Sequence, residues 1–162
     1  MKKILLVFIV SAFASYSYAQ TNKVTDVWVV FKTHFDIGYT NRIEEVLKKY
    51  RGEMMDGALK VVEASRNLPP EQRFSWTLAG WPLSYVLGPQ QEPSRKALIE
   101  QAVREGAITF HALPFTTHTE TQDLEDLVRG LGFSTRLSLK YGLPLPISGK
   151  MTDVPSHSWV LP

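Results

Sequence analysis

VTDVWVVFKTHFDIGYTN, residues 24–41, joins a strand pattern to a cluster of polar residues. Val24 to Phe31 is rich in β-branched and aromatic side chains and reads as a buried strand. His34-Phe35-Asp36 leaves its end, and Gly38 permits a tight turn. Thr40 or Asn41 can then cap a helix with Glu44 and Glu45 in its first turn. The apolar positions Ile43, Val46, Leu47, Met54, Met55, Ala58, Leu59 and Val62 recur at helical spacing, with a break expected near Gly52 and an end before Pro69-Pro70.

The same alternation runs through the rest of the chain. Phe74 to Leu78 reads as a second strand, and residues 81–87 as a short helix punctuated by Gly88-Pro89. Pro93 opens a helix that ends at Gly106, with Ala97, Leu98, Ala102 and Val103 as its apolar face. Ala107 to Leu113 is a third strand. Thr121 to Tyr141 is a helix with Leu124, Leu127, Val128, Leu131, Leu137 and Leu139 as its apolar positions, terminated by Gly142. Pro144 to Thr152 reads as a connection and a fourth strand. The expected class is α/β, with about four parallel strands, intervening helices and right-handed crossovers.

The first residues stand apart from this pattern. Lys2 and Lys3 precede an apolar run from Ile4 to Ala14, and Ser17 and Ala19 are small residues placed for cleavage after Ala19. Residues 1–19 therefore read as a secretory signal peptide, and residues 20–162 as the secreted or periplasmic chain. The run falls short of the roughly 20 apolar residues of a spanning helix, so no stable membrane anchor is expected. A lipid anchor is excluded by the absence of cysteine, as are thiol catalysis, thiolate zinc fingers and iron–sulfur sites. Cleavage removes two lysines and no acid, taking the net charge from +2 to zero. A neutral chain argues against electrostatic nucleic-acid binding and against a polybasic membrane patch. At 44% hydrophobic and 21% charged, the composition is that of a folded protein.

Parallel α/β sheets place their chemistry at the carboxyl ends of the strands. His34 and Asp36 fall there, two positions apart. If strand geometry persists, their side chains face one side while Phe35 points into packing. One imidazole and one carboxylate suit zinc or a similar divalent ion. Asp153, at the end of the fourth strand, offers a third ligand, a nucleophile, or both. The plainer account is a strand-end aspartate capping a helix and a histidine at an interface, since most polar residues at strand ends cap or turn. His118 and Glu120 lie in a strand-end loop, lining a pocket or preceding a helix cap. His111 reads as an interior or edge residue of its strand, and Trp76 and Trp81 as core or pocket wall. The acidic run Glu120, Asp123, Glu125 and Asp126 suits a helix N-terminus.

VVFKTHFDIGYT, residues 29–40, resembles the opening motif of glycoside hydrolase family 38, the α-mannosidase family. Phe74-Ser75-Trp76, Gly106 to Phe110, and Met151-Thr152-Asp153-Val154-Pro155-Ser156-His157-Ser158 resemble its later strands and the segment around its catalytic aspartate, in the same order. The resemblance implies the N-terminal part of a seven-stranded (β/α) barrel-like hydrolase domain. It implies zinc held by His34, Asp36 and Asp153, with Asp153 also the nucleophile of a retaining mechanism on a glycan substrate. It places Tyr39 beside the metal against the sugar. His118 is read as substrate-binding from its strand-end loop. His157 matches a family position with no assigned role.

Three departures accompany the match. Family members are far longer, and their fourth ligand and acid/base carboxylate match no residue here, so this chain is expected to be a truncated, inactive fragment with exposed sheet edges. The segment from Ala112 to Glu120 differs, and Tyr39 stands where tryptophan is common. Two other readings fit the residues. A carbohydrate deacetylase would use His and Asp ligands with a metal-activated water. A non-catalytic sugar-binding domain would bind glycan without turnover.

Overall fold

A computed structural model describes residues 24–25, 27, 31–32, 34–117, 119 and 122–149. The expected signal peptide, His118 and Asp153 lie outside these residues. Three parallel strands form one sheet in the order β1-β2-β3: β1 (Phe31–Lys32), β2 (Trp76–Ala79) and β3 (Ile108–His111). Phe31 pairs with Trp76, and Trp76 with Ile108, so the three strands start in register, and β2 and β3 run on together to the paired Ala79 and His111. The mixed α/β class with a parallel sheet is therefore present as expected.

The first crossover is continuous helix rather than a broken one. Helix α1 (Ile43–Lys49) passes through a π-helical turn (Tyr50–Met54) into α2 (Met55–Ser65). Gly52 sits inside that turn, where the α-helical pattern is interrupted without ending the helix. The step from buried Tyr50 to buried Met55 is five residues. A π turn accommodates that step and keeps Leu47, Tyr50, Met55, Ala58 and Val62 on the buried face. Neither Thr40 nor Asn41 caps α1. The N-cap is Arg42, without a side-chain bond. The Thr40 hydroxyl donates to Asp36 Oδ2, and Asn41 Oδ1 accepts from the Arg42 N–H at 2.8 Å, so both side chains serve the preceding loop.

The second crossover contains α3 (Gly80–Val86) and α4 (Pro93–Arg104). At the start of α3 the Gly80 and Trp81 N–H groups donate to the Leu113 and Pro114 carbonyls at 3.0 and 2.9 Å. Two donors that a helix start leaves open are thus satisfied by the loop after β3. A Cβ on Gly80 would lie 3.0 Å from the Ser134 backbone nitrogen, so glycine lets α3 approach α5 (Leu124–Tyr141) closely. On α4 the buried residues are Ile99, Ala102 and Val103, whereas Ala97 and Leu98 are exposed. The helix is rotated on α2 relative to the expected face, because Ile99 enters the core.

Helix α5 starts at Leu124, later than the expected Thr121, because Asp123 caps it by accepting from the Glu125 and Asp126 N–H groups. It ends at Gly142, whose φ of 67° is left-handed. Leu127 and Leu137 are buried, but Leu124, Val128 and Leu139 face solvent. Beyond it, residues 143–149 form no strand, and the rest of the expected fourth strand lies outside the described residues. One backbone bond, from the Ala112 N–H to the Ser148 carbonyl at 2.8 Å, lays this segment beside the end of β3. Among the described residues no helix is long and apolar enough to cross a membrane.

Glu92 caps α4, its carboxylate accepting from Ser94 and Arg95 backbone N–H groups. The Ser94 hydroxyl and these N–H groups hold its pKa at about 2, below the ordinary 4.5. A depressed carboxyl stabilises the folded state fully above its unfolded pKa and loses that contribution as pH falls through the folded value. The urea-midpoint advantage over Glu92→Gln is therefore expected to be full above pH 4.5 and to be lost as pH falls through about 2. A pH-independent difference would mean that the cap acts without its charge.

Candidate functional site

The segment that follows β1 separates its side chains in the alternating way expected of extended chain. Phe35 is buried, whereas His34 is exposed and Asp36 half-buried. The Phe35 ring packs edge-on against Tyr50 at 4.9 Å and Trp81 at 5.7 Å between centroids. With Phe35 anchored in the core, His34 and Asp36 both line one open groove of about 550 Å³. The opposite wall is helical: Glu45, Val46 and Lys49 from α1, then Tyr50 and Met54 from the π turn.

The loop that follows is held by short-range bonds. Gly38 has a φ of 89°, and its N–H donates to the Asn41 carbonyl at 2.9 Å. That left-handed turn is the one anticipated after the His-x-Asp segment. It returns Thr40 to Asp36, whose carboxylate accepts the Thr40 hydroxyl.

Of the expected site residues, His34 and Asp36 are brought to the same groove. Tyr39 is not: it is 95% exposed on the adjacent turn and does not line the groove. His118 and Asp153 fall outside the described residues. Glu45, Lys49 and Tyr50 are groove residues that the sequence reading did not select. A signal for the first two was present, since Asn41, Glu45 and Lys49 recur every four residues and all line the groove.

His111 ends β3 and is buried. It borders a narrow space at the carboxyl edge of the sheet, shared with Phe35, Tyr50, Leu78, Ala79, Pro82 and Thr116. The three strand ends therefore meet in an apolar floor, and the polar groove opens beside it. Trp76 belongs to the core and Trp81 packs against it.

His34 and Asp36 are the donors that the groove offers to a cation. His34 contributes an imidazole and Asp36 a carboxylate, a mixed set that suits a divalent ion of the zinc type. Among the described residues no three His, Asp or Glu side chains gather closely enough to hold an ion. A third ligand would have to come from elsewhere in the chain, and Asp153 is the expected one.

Fold and site together define a class: a parallel α/β protein with a histidine–carboxylate pair at the carboxyl edge of its first strand. Comparison with protein-family models, curated proteins and solved structures finds no match to this chain.

Proposed function

We propose that this chain is the metal-binding N-terminal portion of a secreted or periplasmic glycoside hydrolase resembling family 38, the α-mannosidases. The supporting observation is that His34 and Asp36 flank the buried Phe35 and line one groove at the end of the first parallel strand. In this reading residues 1–19 are removed as a signal peptide, and residues 20–162 open a (β/α) barrel-like domain.

His34, Asp36 and Asp153 would hold one zinc ion. Zinc held there would supply Lewis-acidic polarisation of bound sugar oxygens. Asp153 attacks the anomeric carbon, as the nucleophile of a retaining glycosidase does. In this reading His118 would contact the sugar, whereas Tyr39 lies on the exposed turn outside the groove. A retaining mechanism needs a second carboxylate to protonate the leaving oxygen, and no position of this sequence matches the family's acid/base residue. The 162-residue polypeptide is therefore expected to bind metal without glycosidase turnover.

Calorimetric titration of chelator-stripped protein with zinc tests the reading. One saturable site per chain is expected, with no release of aryl leaving group from an α-mannoside. Absence of saturable binding overturns the metal assignment. α-Mannosidase turnover by the purified polypeptide would show that it contains an acid/base group after all. Acetate release from an acetylated sugar would favour a deacetylase instead.

A further inference from the structure

The π turn between α1 and α2 places a tyrosine directly against the His-x-Asp segment. Tyr50 is buried, and its hydroxyl donates to the backbone carbonyl of His34 at 3.2 Å. Its ring meets the Phe35 ring edge-on, with 82° between planes, and stacks on Trp76 at 6.3 Å. One side chain thus grips two successive residues at the end of β1, one through the main chain and one through packing.

The turn carrying Tyr50 is itself tied down from its other side. Gln91 is buried in the loop before α4, and its Nε2 donates to the Arg51 carbonyl inside the π turn at 3.0 Å. Its Oε1 accepts from the Glu92 N–H at 3.1 Å, which orients the amide. The Arg51 guanidinium reaches the Tyr85 hydroxyl on α3 at 3.4 Å. π turns are rare and recur at functional sites, where they change the facing of a side chain. Here the insertion lets Tyr50 face the end of β1 while Met55 still enters the core.

We infer that Tyr50 is a positioning residue. Its hydroxyl and ring hold the backbone of residues 34–36 so that His34 and Asp36 present their side chains to the same groove. The consequence for metal affinity rests on the zinc reading above, whereas the restraint on the backbone does not.

Tyr50→Phe separates the two roles of the side chain, because it keeps the ring and deletes only the donor. Ser138→Ala is the control: Ser138 Oγ donates to the Pro144 carbonyl at 3.0 Å, a comparable bond remote from the groove. Amide hydrogen exchange of metal-free protein and zinc titration are measured on the parent and both variants. Tyr50→Phe is expected to speed exchange at residues 34–38 and to weaken zinc binding roughly tenfold, the lower range for a group that orients metal ligands. Ser138→Ala should do neither. Unchanged exchange at residues 34–38 in Tyr50→Phe overturns the inference, as does unchanged affinity in a zinc-binding parent. Faster exchange in Tyr50→Phe alongside a parent that binds no zinc supports the restraint and overturns the metal reading alone.

Discussion

Leu83→Ala is expected to destabilise the protein by about 3 kcal/mol and to lower its Tm by roughly 10 °C. Leu83 lies on α3 with no exposed surface, in the core cluster that also holds Val86, Ile99 and Ile108. Truncation removes three buried carbons and leaves a void that the neighbours fill only in part. Collapse is hindered because the start of α3 is pinned by the Leu113 and Pro114 carbonyls and its Gly80 lies against Ser134. The same substitution at Leu124, which is 74% exposed, should cost less than about 0.5 kcal/mol. Urea unfolding of the two variants measures the contrast. Equal losses would mean that α3 does not pack where the fold places it.

His34→Ala is expected to weaken zinc binding by on the order of 100-fold or more, since removal of a direct ligand should exceed the 10- to 100-fold effects of supporting residues. Asp36→Asn should weaken it to a similar degree, because the amide keeps the shape and loses the charge that attracts the ion. His34 is exposed and Asp36 half-buried at the loop end of β1, so neither change should disturb the core that Phe35 anchors. Calorimetric titration of refolded, chelator-stripped variants reads the loss, and circular dichroism checks the fold. Parental affinity in either variant would exclude that residue as a ligand. Loss in His34→Ala but not in Asp36→Asn would leave a histidine site of different composition.

Legibility differed between elements for identifiable reasons. Pro93 at the start of α4 and Gly142 at the end of α5 were readable because each constrains its own backbone. Gly38 was readable for the same reason, and its left-handed φ produces the expected turn. The placement of Phe35 inward between His34 and Asp36 matches the two-residue period expected from the sequence, although β1 itself ends at Lys32. Burial along a helix was less legible. Leu98, Leu124, Val128 and Leu139 satisfy helical spacing yet face solvent, because periodicity defines a face and not what covers it.

The sequence by itself determined the alternation of strands and helices, the helix ends at Pro93 and Gly142, and the pairing of His34 with Asp36 around an inward Phe35. Each rests on backbone dihedrals or side-chain periods within a few residues. The tertiary structure alone decided which apolar stripes are covered and which residues form the far wall of the groove. It also decided that Tyr50 meets His34 across 16 positions and that Gln91 meets Arg51 across 40. These contacts depend on how far each crossover helix is rotated on the sheet, and that rotation is a compromise among all the side chains packed beneath it.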